Sequence, residues 1–289
     1  MIHFIGSVVR DFILKVDEFP PIEESSYLLS VKESFGGPAG NSAFVASRLG
    51  ADVTLIAPVG SDFHDSAYEK HLERAGVRLA LFYTEDKTST AFMVNNKKGQ
   101  QKNFFYWGAS EHFPEIMQKG IGSESQDIVH VCTGHPSLAP LQHEHLSFDP
   151  GKDTKNYDSE SLEQTMKNVK FLFPNEFELQ RMEDMLGKPI LEFFDHSLQA
   201  VIVTKGSKGS EIITEKESFS VPAFPIDLVD PTGCGDAYSA AFLTAMEEKK
   251  NLEQCALFAS SVASFVAEAD GPQGGVPTKE KAIERVELL

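Results

Sequence analysis

The feature that most restricts the fold of this 289-residue chain is an alternation of short apolar runs with longer segments of helical spacing. Residues 2–5, 53–59 and 77–82 are too short for helices and rich in aliphatic side chains, as strands buried on both faces are. Between them, residues 43–49 space their apolar positions as a helix does and stop at Gly50, and residues 64–75 read as an exposed amphipathic helix stopped by Gly76. This β-α-β-α-β order predicts a parallel sheet covered by helices. Residues 128–132, 146–148, 169–173 and 200–203 continue the strand series, and residues 211–214 with 219–221 predict an edge hairpin. Two stretches break the rhythm. Residues 12–35 alternate around Pro20-Pro21, and residues 90–94 and 102–107 flank a polar turn, which together predict a small separate sheet. Open α/β sheets bind ligands outside the C-terminal ends of their strands. That rule singles out Asp11, just after Gly6-Ser7, and His135 and Asp149 further on.

A second feature suggests what the ligand is. Asp230-Pro231-Thr232-Gly233-Cys234-Gly235-Asp236-Ala237-Tyr238 runs directly into Ala240, Ala241, Phe242, Leu243 and Ala245, so a loop turns into a helix. Gly233 and Gly235, bracketing Cys234, leave backbone N–H groups uncovered at the first turn, where unpaired donors and the macrodipole attract an anion such as phosphate. A carboxylate repels such a neighbour unless it has a task, for example taking a proton from a hydroxyl that attacks phosphorus. Asp236 is therefore the candidate general base. On local grounds it reads equally well as a counter-charge to the helix dipole.

The stretch also resembles the C-terminal signature of the ribokinase-like (PfkB) family of small-molecule kinases, and Gly36-Gly37-Pro38-Ala39-Gly40-Asn41-Ser42-Ala43 resembles the N-terminal one. The resemblance implies Asp236 as base, Gly233, Cys234 and Gly235 as anion hole, and Mg²⁺ with ATP as phosphate donor. Asn175-x-x-Glu178 resembles the family's motif for organising magnesium and triphosphate. By itself it is also a good helix start. Thr204-Lys205-Gly206-Ser207-Lys208-Gly209 resembles the nucleotide loop, which assigns Thr204, Gly206, Ser207, Lys208 and Gly209 to ATP along with Asn175. It is not a Walker A loop, and no dinucleotide fingerprint is present. An aspartate after the first strand grips the acceptor's hydroxyls in this family, which favours Asp11 over an ordinary turn aspartate. Gly37 and Asn41 are further acceptor residues, although Asn41 also reads as a helix N-cap. Gln101 and Asp149 complete the acceptor set. Asp230, with the turn Gly271-Pro272-Gln273-Gly274-Gly275, is implied to hold a monovalent cation, K⁺.

The expectation is one ribokinase-like domain over residues 1–289: a three-layer α/β/α body with a small β-sheet lid from insertions at 12–35 and 83–108. With 43 acidic against 26 basic residues, a formal charge of −17 disfavours nucleic acid and anionic lipid as partners. Cys132, Cys234 and Cys255 match no metal or disulfide pattern, and neither an export signal nor a membrane-length apolar run is visible. A cytoplasmic location follows. His130, His135, His143 and His145 lack metal-site spacing. Alternation sends Phe104 and Tyr106 to one lid face and Phe105 and Trp107 to the other, predicting a homodimer through the lid strands. The whole chain looks most like archaeal nucleoside kinases of the family, so a nucleoside phosphorylated at its 5′ hydroxyl is the expected acceptor. A sugar is the alternative acceptor, and a non-catalytic regulator on the same scaffold is the alternative class.

Overall fold

A computed structural model describes residues 1–119, 122–132 and 141–288. The first strand, β1 (Ile2–Ile5), leads into two strands of a second sheet, β2 (Val9–Val16) and β3 (Leu28–Gly36). The chain returns through α1 (Pro38–Arg48), β4 (Val53–Gly60), α2 (Ala67–Ala75) and β5 (Arg78–Thr84), then leaves again for β6 (Thr90–Asn96) and β7 (Gln101–Tyr106). The remainder runs α3 (Phe113–Lys119), β8 (Ile128–Val131), β9 (Leu146–Phe148), α4 (Ser159–Asn168), β10 (Phe171–Leu172) and α5 (Glu176–Leu186). It closes with β11 (Ala200–Thr204), β12 (Ser210–Ile213), β13 (Ser218–Val221), α6 (Cys234–Glu247), α7 (Leu252–Ala267) and α8 (Lys279–Val286).

Nine strands in the order β13-β12-β11-β10-β9-β8-β1-β4-β5 form the main sheet. It is parallel from β11 to β5, and β12 and β13 add the expected antiparallel hairpin at one edge. Strand alternation divides the interior in two. Phe4, Leu55 and Ile202 face a core shared with α1, α2, α6, α7 and α8, while Ile5, Ile56 and Val201 face one shared with α3, α4 and α5. The three-layer architecture is thus the expected one. α6 is apolar nearly all round because it is buried from Ala237 to Ala245, between the sheet and its neighbouring helices. Two helices depart from the sequence reading. α1 starts at Pro38 with Gly37 as its N-cap, so Asn41 lies inside the helix and caps nothing. α3 occupies a stretch that reads as weakly patterned, where Phe113 and Ile116 anchor it in the second core.

The lid is the four-stranded sheet β3-β2-β6-β7. Its register sets Ser34, Asp11, Ala91 and Phe105 side by side in one row. Lateral neighbours in a sheet point the same way, so Phe105 shares a face with Asp11. The next row, Glu33, Phe12, Phe92 and Phe104, points to the opposite face, where Phe12 and Phe92 stack at 5.5 Å. Arg10 fastens β2 to the body by donating to Asp62 at 3.1 Å, and Lys32 of β3 pairs with Asp270.

Candidate active site

The site forms where the sheet order reverses. From β1 the chain builds outward to β4 and β5 on one side and only later to β8 on the other, which leaves a crevice outside the C-terminal ends of β1 and β8. Asp236, on the first turn of α6, meets there the groups that line the crevice. Asn41 Nδ2 donates to Asp236 Oδ2 at 2.8 Å, and Ser42 Oγ donates to the Asp236 carbonyl at 3.3 Å. α1 therefore contributes a buried amide to the carboxylate, which its early start makes possible. The lid contributes Asp11, whose carboxylate packs so closely on Gly36 that a Cβ there would stand 2.0 Å from Asp11 Oδ2.

Burial pushes the Asp236 carboxyl up to about 7, with the charge of Glu178 adding to the rise and the Asn41 hydrogen bond and Lys152 opposing it. Asp11 is raised to about 7 as well, by burial and then by Asp236. Asp149, at the end of β9, is pushed well above the carboxylate range by burial, Glu178 and Asp236, although its Oδ1 accepts from the Gly151 N–H at 3.1 Å. Glu178 is raised by burial, while its bonds with Asn175 and the charge of Lys152 work the other way. The pocket thus gathers four carboxylates against Lys152 and, at Glu178, Arg181, an arrangement that favours added positive charge.

Gly233 holds the turn into α6. Its φ is 79°, and a Cβ on it would lie 2.3 Å from Pro272 Cβ, so only glycine fits. The N–H groups of Gly233, Gly235 and Asp236 have no partner among the described residues, whereas the Cys234 N–H donates to the Pro231 carbonyl at 3.3 Å. The Cys234 thiol turns toward the Ala263 carbonyl of α7, at 3.7 Å. The backbone donors left uncommitted at this helix start are therefore those of Gly233, Gly235 and Asp236, whereas that of Cys234 is engaged by the turn.

The residues that the sequence assigns to the nucleotide also converge. Asn175 caps α5 by accepting from the N–H groups of Phe177 and Glu178, both at 2.9 Å, and Glu178 Oε2 accepts in return from the Asn175 N–H at 2.9 Å. The helix-start reading of this motif is thus correct, and it does not exclude the other. Thr204 N–H donates to the Pro174 carbonyl at 2.9 Å, which sets the loop of Gly206, Ser207, Lys208 and Gly209 beside Asn175. Ser210 and Tyr238 are joined through their hydroxyls at 2.7 Å, tying that loop to α6. Asp230 accepts from the Thr232 N–H at 2.9 Å and the Gly271 N–H at 3.1 Å, holding the two glycine-rich turns together. Gln101 stands apart. It shares the lid face of Asp11 but lies at the tip, bonded to Asn95 and Asn103. His135 lies outside the described residues, and His130 is buried against Ser147 at 2.8 Å. Sequence reasoning did not assign Lys152, Tyr68, His71 or Gln273 to the site. Lys152 had a local signal because it follows a strand end, and Gln273 because it lies in the glycine-rich turn read with Asp230.

The pattern of the pfkB family of carbohydrate kinases matches residues 1–279. The chain belongs to that family. It is accordingly a phosphotransferase whose acceptor is an alcohol group. The nucleoside kinase of Methanocaldococcus jannaschii is 36% identical, across 98% of this chain and 95% of the relative. That of Methanothermobacter thermautotrophicus is 34% identical, across 97% and 94%. The crystal structure of the Methanocaldococcus jannaschii nucleoside kinase superposes with a TM-score of 0.93 at 35% identity, covering 100% of this chain and 98% of the other. The likeness of the whole chain to archaeal nucleoside kinases, expected from its sequence, is borne out.

Proposed function

We propose that this pfkB-family enzyme is an ATP-dependent nucleoside kinase that transfers the γ-phosphoryl group to the 5′ hydroxyl. The observation that carries the proposal is Asp236: one carboxylate at a helix start, held by Asn41 beside three uncommitted N–H groups, with the acceptor-side Asp11 facing it from the lid. In this reading, Asp11 and Asn41 hold the vicinal hydroxyls of the ribose. Ionised Asp236 takes the 5′ hydroxyl proton as that oxygen attacks the γ-phosphorus and the bond to the β-phosphate oxygen breaks. The N–H groups of Gly233, Gly235 and Asp236 receive the charge that develops on the transferring oxygens. Thr204, Gly206, Ser207, Lys208, Gly209 and Asn175 receive the nucleotide. The relatives named nucleoside kinases, at 36% and 34% identity, support the choice of acceptor class. Steady-state phosphorylation of inosine, guanosine, cytidine and adenosine, compared with ribose, fructose and fructose 6-phosphate, tests it. A sugar that outperforms every nucleoside overturns it.

Magnesium fits this pocket through water. Among the described residues no three His, Cys, Asp or Glu side chains converge on a metal position, yet Glu178 and Asp149 bring surplus negative charge. Bound there, the ion supplies neutralisation of the triphosphate's charge. Glu178→Gln is expected to raise the magnesium concentration for half-maximal activity severalfold, read from magnesium titrations at fixed ATP. Unchanged titrations would leave Glu178 as a capping residue only. At Asp230 the carboxylate oxygens keep lone pairs beyond their two backbone bonds, which suits K⁺.

The lid supports a homodimer. Its face opposite Asp11 carries the row Phe12, Phe92 and Phe104, and Tyr27, Leu28, Leu29 and Val31 lie exposed on and beside edge strand β3. Light scattering at micromolar concentration is expected to give twice the chain mass, and a monomer would refute the dimer. No helix among the described residues is long and apolar enough to cross a membrane. Three free cysteines support the cytoplasmic assignment.

A further inference from the structure

Behind Asn41 lies a chain of side chains that the reaction, as described, does not use. Gln273 Nε2 donates to Asn41 Oδ1 at 2.9 Å and to the Tyr68 hydroxyl at 3.0 Å. Tyr68 in turn donates to the Gly36 carbonyl at 2.7 Å, so toward Gln273 it can only accept. Gln273 Oε1 meets His71 Nε2 at 3.0 Å. An amide oxygen cannot donate, so His71 carries its proton on Nε2. The imidazole is fixed in its plane, stacked on Phe44 with centroids 4.5 Å apart and tilted against Phe35 at 5.1 Å. From His71 to Asp236 the direction of every hydrogen bond is thereby determined.

This directionality matters at one point. The Asn41 amide can present either its NH₂ or its oxygen to the carboxylate, and the two faces have opposite effects on a base. With Nδ2 toward Asp236 it stabilises the ionised form, and with Oδ1 toward it the amide repels that form. We infer that Gln273 is a positioning residue for catalysis: by occupying Asn41 Oδ1 with an N–H, and being itself oriented by His71 and Tyr68, it holds the Asn41 NH₂ on Asp236. The inference rests on Asp236 being the base.

Other charges around Asp236 leave the amide as the adjustable element. Asp11 on β2, Asp149 after β9 and Glu178 on α5 all disfavour ionisation, and Lys152 favours it. Tyr68, Cys132 and Cys234, which also sense Asp236, are raised by burial; Tyr68 and Cys234 stay neutral at the pH of assay. Burial lowers His71, so it is an uncharged donor near neutrality.

The test is the pH profile of kcat/KM for the nucleoside, which reports the free enzyme's base. Gln273→Leu is expected to move the acid limb toward higher pH, lowering kcat/KM about tenfold at pH 6.5 but less than about threefold at pH 9. Gln273→Glu keeps an acceptor for His71 but cannot donate from a carboxylate to Asn41 or to the Tyr68 hydroxyl, so its loss at pH 6.5 should be larger than that of Gln273→Leu. A uniform loss at all pH values, or no loss, overturns the inference. If Gln273→Leu fails to fold by circular dichroism, His71→Phe, which keeps the ring stack and removes the outer donor, must shift the limb in the same direction. An unshifted limb there is equally fatal. Asp236→Asn separates the two readings: near-normal turnover by that variant removes the base itself, whereas an inactive Asp236→Asn beside an unshifted Gln273→Leu removes only the positioning role.

Discussion

Asp236→Asn is expected to lower kcat by at least ~10²-fold, the scale of a lost general base, while ATP binding largely survives. Asparagine keeps the shape of the side chain and its contact with Asn41, but it cannot accept the hydroxyl proton. The backbone N–H groups at the start of α6 do not depend on the carboxylate, so the anion hole should persist. A variant with near-normal kcat would take Asp236 out of the mechanism. The same substitution carries a second expectation of opposite sign. A carboxyl raised from 3.8 to about 7 by folding gives stability that is fully present below pH 4 and lost as the pH rises through 7. At pH 8 the ionised, desolvated group therefore works against the fold. Water reaching the half-buried side chain trims the effect, which leaves Asp236→Asn more stable than wild type by about 1–2 kcal/mol at pH 8. At pH 4 the difference should vanish. Denaturant unfolding of the two proteins at both pH values measures it. A variant no more stable at pH 8 would mean that the carboxylate is not desolvated.

Nucleosides are expected to exceed ribose in kcat/KM by roughly tenfold to a hundredfold, because a base stacked on an aromatic ring gains ~1–3 kcal/mol that a free sugar does not. Asp11 and Asn41 cannot make this distinction, since every furanose presents vicinal hydroxyls to them. Phe105 can make it. It lies in the same lid row as Asp11, two strands away across β6, and its ring meets that of Trp107 edge-on at 5.0 Å. At 47% exposure it is available to a ligand. Phe105→Ala should therefore reduce the nucleoside's kcat/KM by most of that factor and leave the sugar's nearly unchanged. Equal losses for both acceptors would show that the ring supports the lid and does not stack on the base.

Legibility in the sequence followed the range of the interactions. Asp236 and Gly233 could be read because a helix start and its tight turn are encoded within a few residues. The same holds for Asn175 and Glu178, whose reciprocal bonds span three positions. The lid hairpin and the separation of Phe105 from Phe104 and Tyr106 followed from strand alternation, whereas the register was needed to set Phe105 on the face of Asp11. Tyr68 and His71 could not be read, because nothing near them in the chain signals a site; Gln273 lies in the glycine-rich turn read with Asp230, but its partner Asn41 is 232 positions away, so its own role could not be read. Asn41 was found by motif, but its environment was misjudged: Pro38 and the Gly37 cap start α1 early enough to put it inside the helix. Cys234 shows a finer limit, since spacing cannot tell which of several adjacent N–H groups is already engaged by the turn.

Asp11 and Gly36 have an evolutionary consequence. They sit on neighbouring lid strands, and the space a methyl group at 36 would need is filled by the carboxylate at 11. Change must therefore enter this pair in one order. A substitution at 36 is obstructed while aspartate stands at 11, whereas a smaller residue at 11 removes the three atoms nearest to that space. On the role proposed for Asp11, a lineage that drifts toward another acceptor gives up its hold on the acceptor's hydroxyls first. Once a side chain has settled at 36, the return path is closed.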